Sequence, residues 1–119
     1  MANPNIVQTS SIYGKTDVLS AGTSATAITT NAGGSGKICK INMLSVANTD
    51  GSSSVDVNVD IFRGSVAYHI AKTISVPADS SLVVIGKENP LYLMEGDSLR
   101  VTAGAADKAQ AVCSYEEIS

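Results

Sequence analysis

Tryptophan is absent from this chain of 119 residues, phenylalanine and histidine occur once each, and aromatic residues make up only 4%. With His69 as the only histidine, no metal site can be built on a histidine pair. A catalytic base also needs an oriented nucleophile beside it, and none can be nominated near His69. Four tyrosines without tryptophan are poorly suited to a sugar-stacking platform. Charge is scarce too: eight Lys and Arg against eleven Asp and Glu, a net charge of −3. The basic residues are scattered, whereas nucleic-acid binding needs a dense row of cations to displace counterions from phosphates. No apolar run approaches the ~18 residues that span a bilayer. The opening "MANPNIVQTS" has neither a basic nor a hydrophobic signal region, so a soluble product that stays in the cytoplasm where it is made is expected. Two cysteines, Cys39 and Cys113, are too few for a disulfide framework and match no zinc spacing. Both lie in apolar, strand-like segments, as buried thiols or as a bridge between neighbouring strands.

What remains is rich in small and β-compatible residues, with 44% hydrophobic positions, enough for a single modest core. The pattern predicts strands and turns throughout and no helix. In "SSVDVNVDIF", Val55, Val57, Val59 and Ile61 alternate with Asp56, Asn58 and Asp60, a period of two that puts the aliphatics on a buried face. In "VAYHIAKTISV", Tyr68, Ile70, Ile74 and Val76 are expected on one core-facing side, with His69 opposite. Gly64 between these runs can take the positive φ of a tight turn, so they are expected to be adjacent antiparallel strands. Asp50-Gly51 reads as a second hairpin turn. Pro77, the segment Lys87 to Pro90 and the stretch Ala103 to Lys108 mark further breaks. The count is about eight short strands, an all-β antiparallel β-sandwich with either jelly-roll-like or immunoglobulin-like order. Residues 12–119 form this single domain, and residues 1–11 form an N-terminal arm or extended segment. Ile6 and Val7 on that arm are apolar and need a partner.

Each apparent site carries a plainer explanation. Asp56, Asn58 and Asp60 copy the start of a calcium loop, but Ile61 stands where a glycine is required and Ala67 where a bidentate glutamate belongs. Along a strand the three spread over about 13 Å of one face, which reads as solvated. "GGSGK" hints at a phosphate loop, yet Asn31 replaces its first glycine, Ile38 follows Lys37, and a strand comes next. Glu95 and Asp97 flank Gly96 in "PLYLMEGDSLRVTAGAA". Asp and Gly are turn formers, so the pair is expected to mark a corner between strands, with Leu91, Leu93, Leu99 and Val101 in the core. No catalytic, cofactor-binding or metal-ligating residue is therefore assigned, and the chain is expected not to be an enzyme.

The segments "IYGKT", "GKICKINMLSVANTDG", "AYHIAKTISVPADSSLVVIGKENPLYLMEGDSLRVTA" and "AVCSYEEIS", in this order, resemble a family of small virion structural proteins of tailed bacteriophages, mainly marine and cyanobacterial. The resemblance runs from about Ile12 to Ser119 and brings no catalytic residues with it. It implies a non-enzymatic virion component, foremost a capsid decoration (cement) protein on the head shell. The major capsid protein or other virion proteins would be its partners, and it would reside in the virion, with the host cytoplasm as its place of assembly. Homo-oligomerisation, as a trimer for instance, is expected because shells present symmetric sites. Candidate interface residues are Ile6 and Val7, on an arm that would add a strand to a neighbour, and His69. A neck, tail or fibre component is the alternative reading, and a carbohydrate-binding sandwich for host attachment is the second. No cofactor, nucleic acid or membrane is implied.

Overall fold

The computed structural model describes residues 4–119. Nine strands follow one another: β1 (Ile12–Ala21), β2 (Thr26–Thr30), β3 (Ile38–Asn48), β4 (Val55–Arg63), β5 (Val66–Val76), β6 (Ser81–Ile85), β7 (Leu91–Leu93), β8 (Ser98–Ala103) and β9 (Ala109–Ile118). They form two antiparallel sheets. The first runs β1-β9-β3-β6 with β7 also on β3, and the second runs β2-β8-β4-β5. Because β6 and β7 pair with successive parts of β3, they act as one edge strand interrupted by the loop 86–90. Apart from that interruption, β1 pairs β9, β2 pairs β8, β3 pairs β6 and β4 pairs β5. That nesting is one long hairpin rolled into two sheets, the jelly-roll arrangement. The sandwich expected from the sequence is present, and its strand order resolves to the jelly-roll form.

Among the described residues only one connection is a tight hairpin. Gly64 and Ser65, at φ of 58° and 63°, join β4 to β5 in the two-residue turn that matches strand twist. Asp50-Gly51 does not make the expected hairpin. Its loop carries the chain from β3 in the first sheet to β4 in the second. Lys108 Nζ lies 2.8 Å from Asp50, whose carboxylate also accepts the Ser52 N–H, while the Asn48 side chain donates to Ser53 and Val76 carbonyls. These bonds hold an open crossover loop rather than a reversal.

The core lies between the sheets. Cys39, Ile41, Leu44 and Val46 of β3 and Ala111 and Cys113 of β9 meet Val55, Val57 and Val59 of β4 and Leu99 and Val101 of β8. Burying each Val, Leu or Ile contributes roughly 1.5–3 kcal/mol. The spacing in β3 departs from strict alternation because Asn42 is an extra residue at a bulge opposite β9, which returns Leu44 to the inner face.

Two bulges likewise alter β5. Pairing skips Ile70 and again at Lys72-Thr73, where Asn58 accepts the Thr73 N–H at 2.7 Å. This corrects the expected core face. Tyr68, Ala71, Ile74 and Val76 pair with inward residues of β4, but Tyr68, Ile70 and Ile74 remain exposed and only Val76 is buried. β5 is the sheet edge, and at eleven residues it outreaches the five-residue β6 at the corresponding edge of the other sheet.

Candidate functional site

The Glu95-Gly96-Asp97 stretch lies between β7 of the first sheet and β8 of the second. Gly96 has a φ of 88°, a conformation that favours glycine. Both acids are buried, and Asp97 is fully so. Arg63, at the end of β4, donates from Nε and Nη2 to the two Asp97 oxygens at 2.7 and 2.6 Å, and the Met94 N–H donates to the second at 2.9 Å. Burial alone would raise the Asp97 pKa, but these donors and the guanidinium charge hold it below the ordinary carboxylate value. With both oxygens engaged and none exposed, this acid is a structural clamp. Leu93, Leu99 and Val101 around it are buried and Leu91 packs against the core, as the corner reading expects.

Asn31 ties the opposite loop to the same corner. Its side chain donates to the Lys37 and Leu93 carbonyls at 2.8 and 2.9 Å and accepts from Ser35 at 2.6 Å, while its backbone exchanges bonds with Gly96 and Asp97. The position that fails to be the first glycine of a phosphate loop is thus an anchor for the loop 31–37.

The row Asp56, Asn58 and Asp60 divides differently from expectation. Asp56 is exposed, but Asp60 is buried, which corrects the reading of a uniformly solvated face. Arg100 donates from Nε to Asp60 at 2.8 Å and lies 4.0 Å above the Phe62 ring, so the arginine covers the carboxylate and stacks on the neighbouring aromatic. Elsewhere Glu117 receives Lys37 at 2.9 Å and Lys15 at 3.2 Å. The Lys37 hydrogen bond is the largest of the effects that depress its pKa against burial, with Lys15 adding to it. Among the described residues no group of three or more His, Cys, Asp or Glu could hold a metal.

Cys39 and Cys113 are free and buried. Cys39 pairs with Glu117 in register and Cys113 with Leu44, so the thiols sit about 13 Å apart along the strands. Burial pushes the Cys39 pKa up to about 11 and raises that of Cys113. They serve as small core hydrophobes.

Of the candidate interface residues, Val7 is 88% exposed, and Ile6 and His69 are exposed as well. Residues 5–8 form a turn closed by the Gln8 N–H on the Asn5 carbonyl, and Ser10 and Ser11 bond to Ser119. Residues 1–3 of the expected arm lie outside the described residues. The structure does not bring His69 together with Ile6 and Val7. They occupy different parts of the fold: His69 on the edge strand β5, opposite Asp60, and Ile6 and Val7 ahead of β1.

The surface feature that the sequence patterns do not reveal is aliphatic. On the outer face of the first sheet, Val18, Val112, Ser45 and Val83 form one cross-strand row, with Val18 74% and Val83 62% exposed. Tyr13, Ile12 and Tyr68 are exposed on edge strands. A shallow groove of about 380 Å³ is lined by Ile61, Arg63 and Tyr68.

No protein-family model matches the chain, and no curated protein matches it. Among solved structures, one described as Bacillus endospore appendages that form a family of disulfide-linked pili superposes with a TM-score of 0.53 at 15% identity. The match covers 100% of this chain and 96% of that one. At this identity the likeness concerns the fold alone. A pentameric capsid protein isolated from metagenomic phage sequences gives a TM-score of 0.42 at 18% identity, covering 87% of this chain and 60% of that chain, too loose a match to carry an argument.

Proposed function

We propose that this chain is a non-enzymatic structural subunit of a tailed-phage particle, acting as a decoration protein on the head shell. The observation that carries the reading is the contrast between its polar and apolar groups. Asp97, Asp60 and Glu117 are committed to internal ion pairs, whereas Val18, Val83, Tyr13 and Tyr68 stand in water. The continuous outer-face row of Val18, Val112, Ser45 and Val83 favours docking against protein. The ordered segments from Ile12 to Ser119 that resemble small phage virion proteins supply the kind of partner, a capsid shell. A jelly roll by itself hosts many functions, so the fold is only compatible support.

The pilus subunit with the same fold belongs to a disulfide-linked family. An assembly of the present chain would be held differently, because both thiols are buried. Surface contacts between copies and with the shell would do that work.

Quantitative peptide mass spectrometry on purified particles tests the proposal. Decoration predicts a copy number comparable to that of the major capsid protein. A few copies per particle would move the chain to the neck, tail or fibre, and its absence from particles would overturn the virion reading.

A further inference from the structure

Among the described residues four sheet edges are formed by β1 and the interrupted β6/β7 in the first sheet and by β2 and β5 in the second. An open edge presents unpaired N–H and C=O groups, and folded proteins blunt it with short strands, bulges or charge. Three of these edges are blunted. β2 and β6 have five residues each and a register break, and β5 contains two breaks. β1 is different. Its ten residues pair with β9 in unbroken register, and among the described residues no strand pairs with its other side.

We propose that the free edge of β1 pairs with β1 of a second copy of this chain, antiparallel about a two-fold axis at Thr16. The pairing would join the two first sheets into one continuous sheet. The register follows from charge. Opposed residues of an antiparallel pair share a face and a hydrogen-bonding phase, so the two-fold axis must pass through a residue position. An axis at Lys15 opposes two lysines, and an axis at Asp17 opposes two aspartates. An axis at Thr16 sets Lys15 against the partner's Asp17 and Asp17 against the partner's Lys15. Opposite charges facing each other across strands are favourable, and like charges are not.

The apolar groups agree with this register. Tyr13 falls opposite the partner's Leu19 on the same face as the charge pairs. On the other face Val18 falls opposite the partner's Gly14. Gly14 has open space where a Cβ would stand, so the exposed valine has room to pack. Lys15 already donates to Glu117 at 3.2 Å and Asp17 accepts from Thr29 at 2.9 Å. An ammonium carries three donors and a carboxylate about four acceptor sites, so both groups keep capacity for the partner.

The pairing deepens the assembly reading by naming a self-contact, but its test uses the isolated chain. A negative result would leave the virion reading standing, and absence from particles would leave the pairing standing. Thr16 is exposed and sits on the proposed axis, so the variant T16C brings two thiols face to face, while the native cysteines are buried. Under mild oxidation T16C should form a reducible covalent dimer far faster than S75C, an exposed control on β5. In sedimentation equilibrium the wild type should dimerise, and K15D and D17K should each weaken the dimer about tenfold. Mixing K15D with D17K should restore it as a mixed dimer. A wild-type chain monomeric up to millimolar concentration, or T16C that crosslinks no faster than S75C, would overturn the pairing.

Discussion

Removing Arg63 tests the corner clamp most sharply. Arg63→Ala leaves the fully buried Asp97 carboxylate with the Met94 N–H as its remaining donor among the contacts described. Hydrogen bonds to charged groups are worth roughly 1.5–3 kcal/mol each, and two are lost. Breaking a fully buried ion pair from one side costs about 3–5 kcal/mol. The Arg63 side chain is 44% exposed, so water takes over part of its role and the expected loss is about 2–3 kcal/mol. For a domain of this size that lowers Tm by about 8–15 °C. Urea unfolding followed by circular dichroism should show a lower midpoint with an unchanged slope. Asp97→Ala added to Arg63→Ala should cost less than the two single changes summed, because the second change removes an already orphaned charge. An Arg63→Ala midpoint within about 0.5 kcal/mol of wild type would refute the clamp.

Acid should unfold the chain through the same groups. Asp97 and Glu117 titrate below their ordinary values, and the Lys108 hydrogen bond, with Ser52, takes Asp50 down to about 2. A depressed folded pKa stabilises above the unfolded value, so stability should be level from neutral pH to about 5 and fall as the pH drops from about 4 toward 2. Urea midpoints measured across that range check it, and Arg63→Ala should flatten the slope. Leu99→Ala, in the fully buried centre of β8, should cost about 2–5 kcal/mol in the same assay. Cys39 and Cys113 should resist a thiol reagent in the native protein and react together once denaturant is added, both being counted by absorbance. Rapid native labelling would contradict their burial.

Local pattern made the strands of the core legible. Strict alternation from Val55 to Ile61 announced β4, and Gly64 announced its hairpin, because side-chain period and turn geometry are short-range properties. β1 gives no such signal: as an edge strand most of its side chains stay exposed, so its sequence need not alternate. The bulges at Asn42, Ile70 and Thr73 broke the period of two and disguised which side chains face inward. Asp50-Gly51 misled because the same dipeptide serves crossover loops, and bonds to Lys108, Ser52 and Asp79 decided between them. The corner at Gly96 was readable from Asp and Gly. Its clamp was not, since Arg63 and Asp97 meet only through the pairing of β4 with β8. The same holds for the surface. Exposure of Val18 and Val83 depends on which strands end up at edges, which no local window contains.

Cryo-electron microscopy of purified particles tests the central claim most directly. Density that fits this jelly roll is expected on the outer surface of the head, at symmetry-related shell positions, with its apolar surface turned toward protein. Density for the chain confined to the neck, tail or fibres would contradict the decoration role, and none anywhere in the particle would contradict the structural assignment itself.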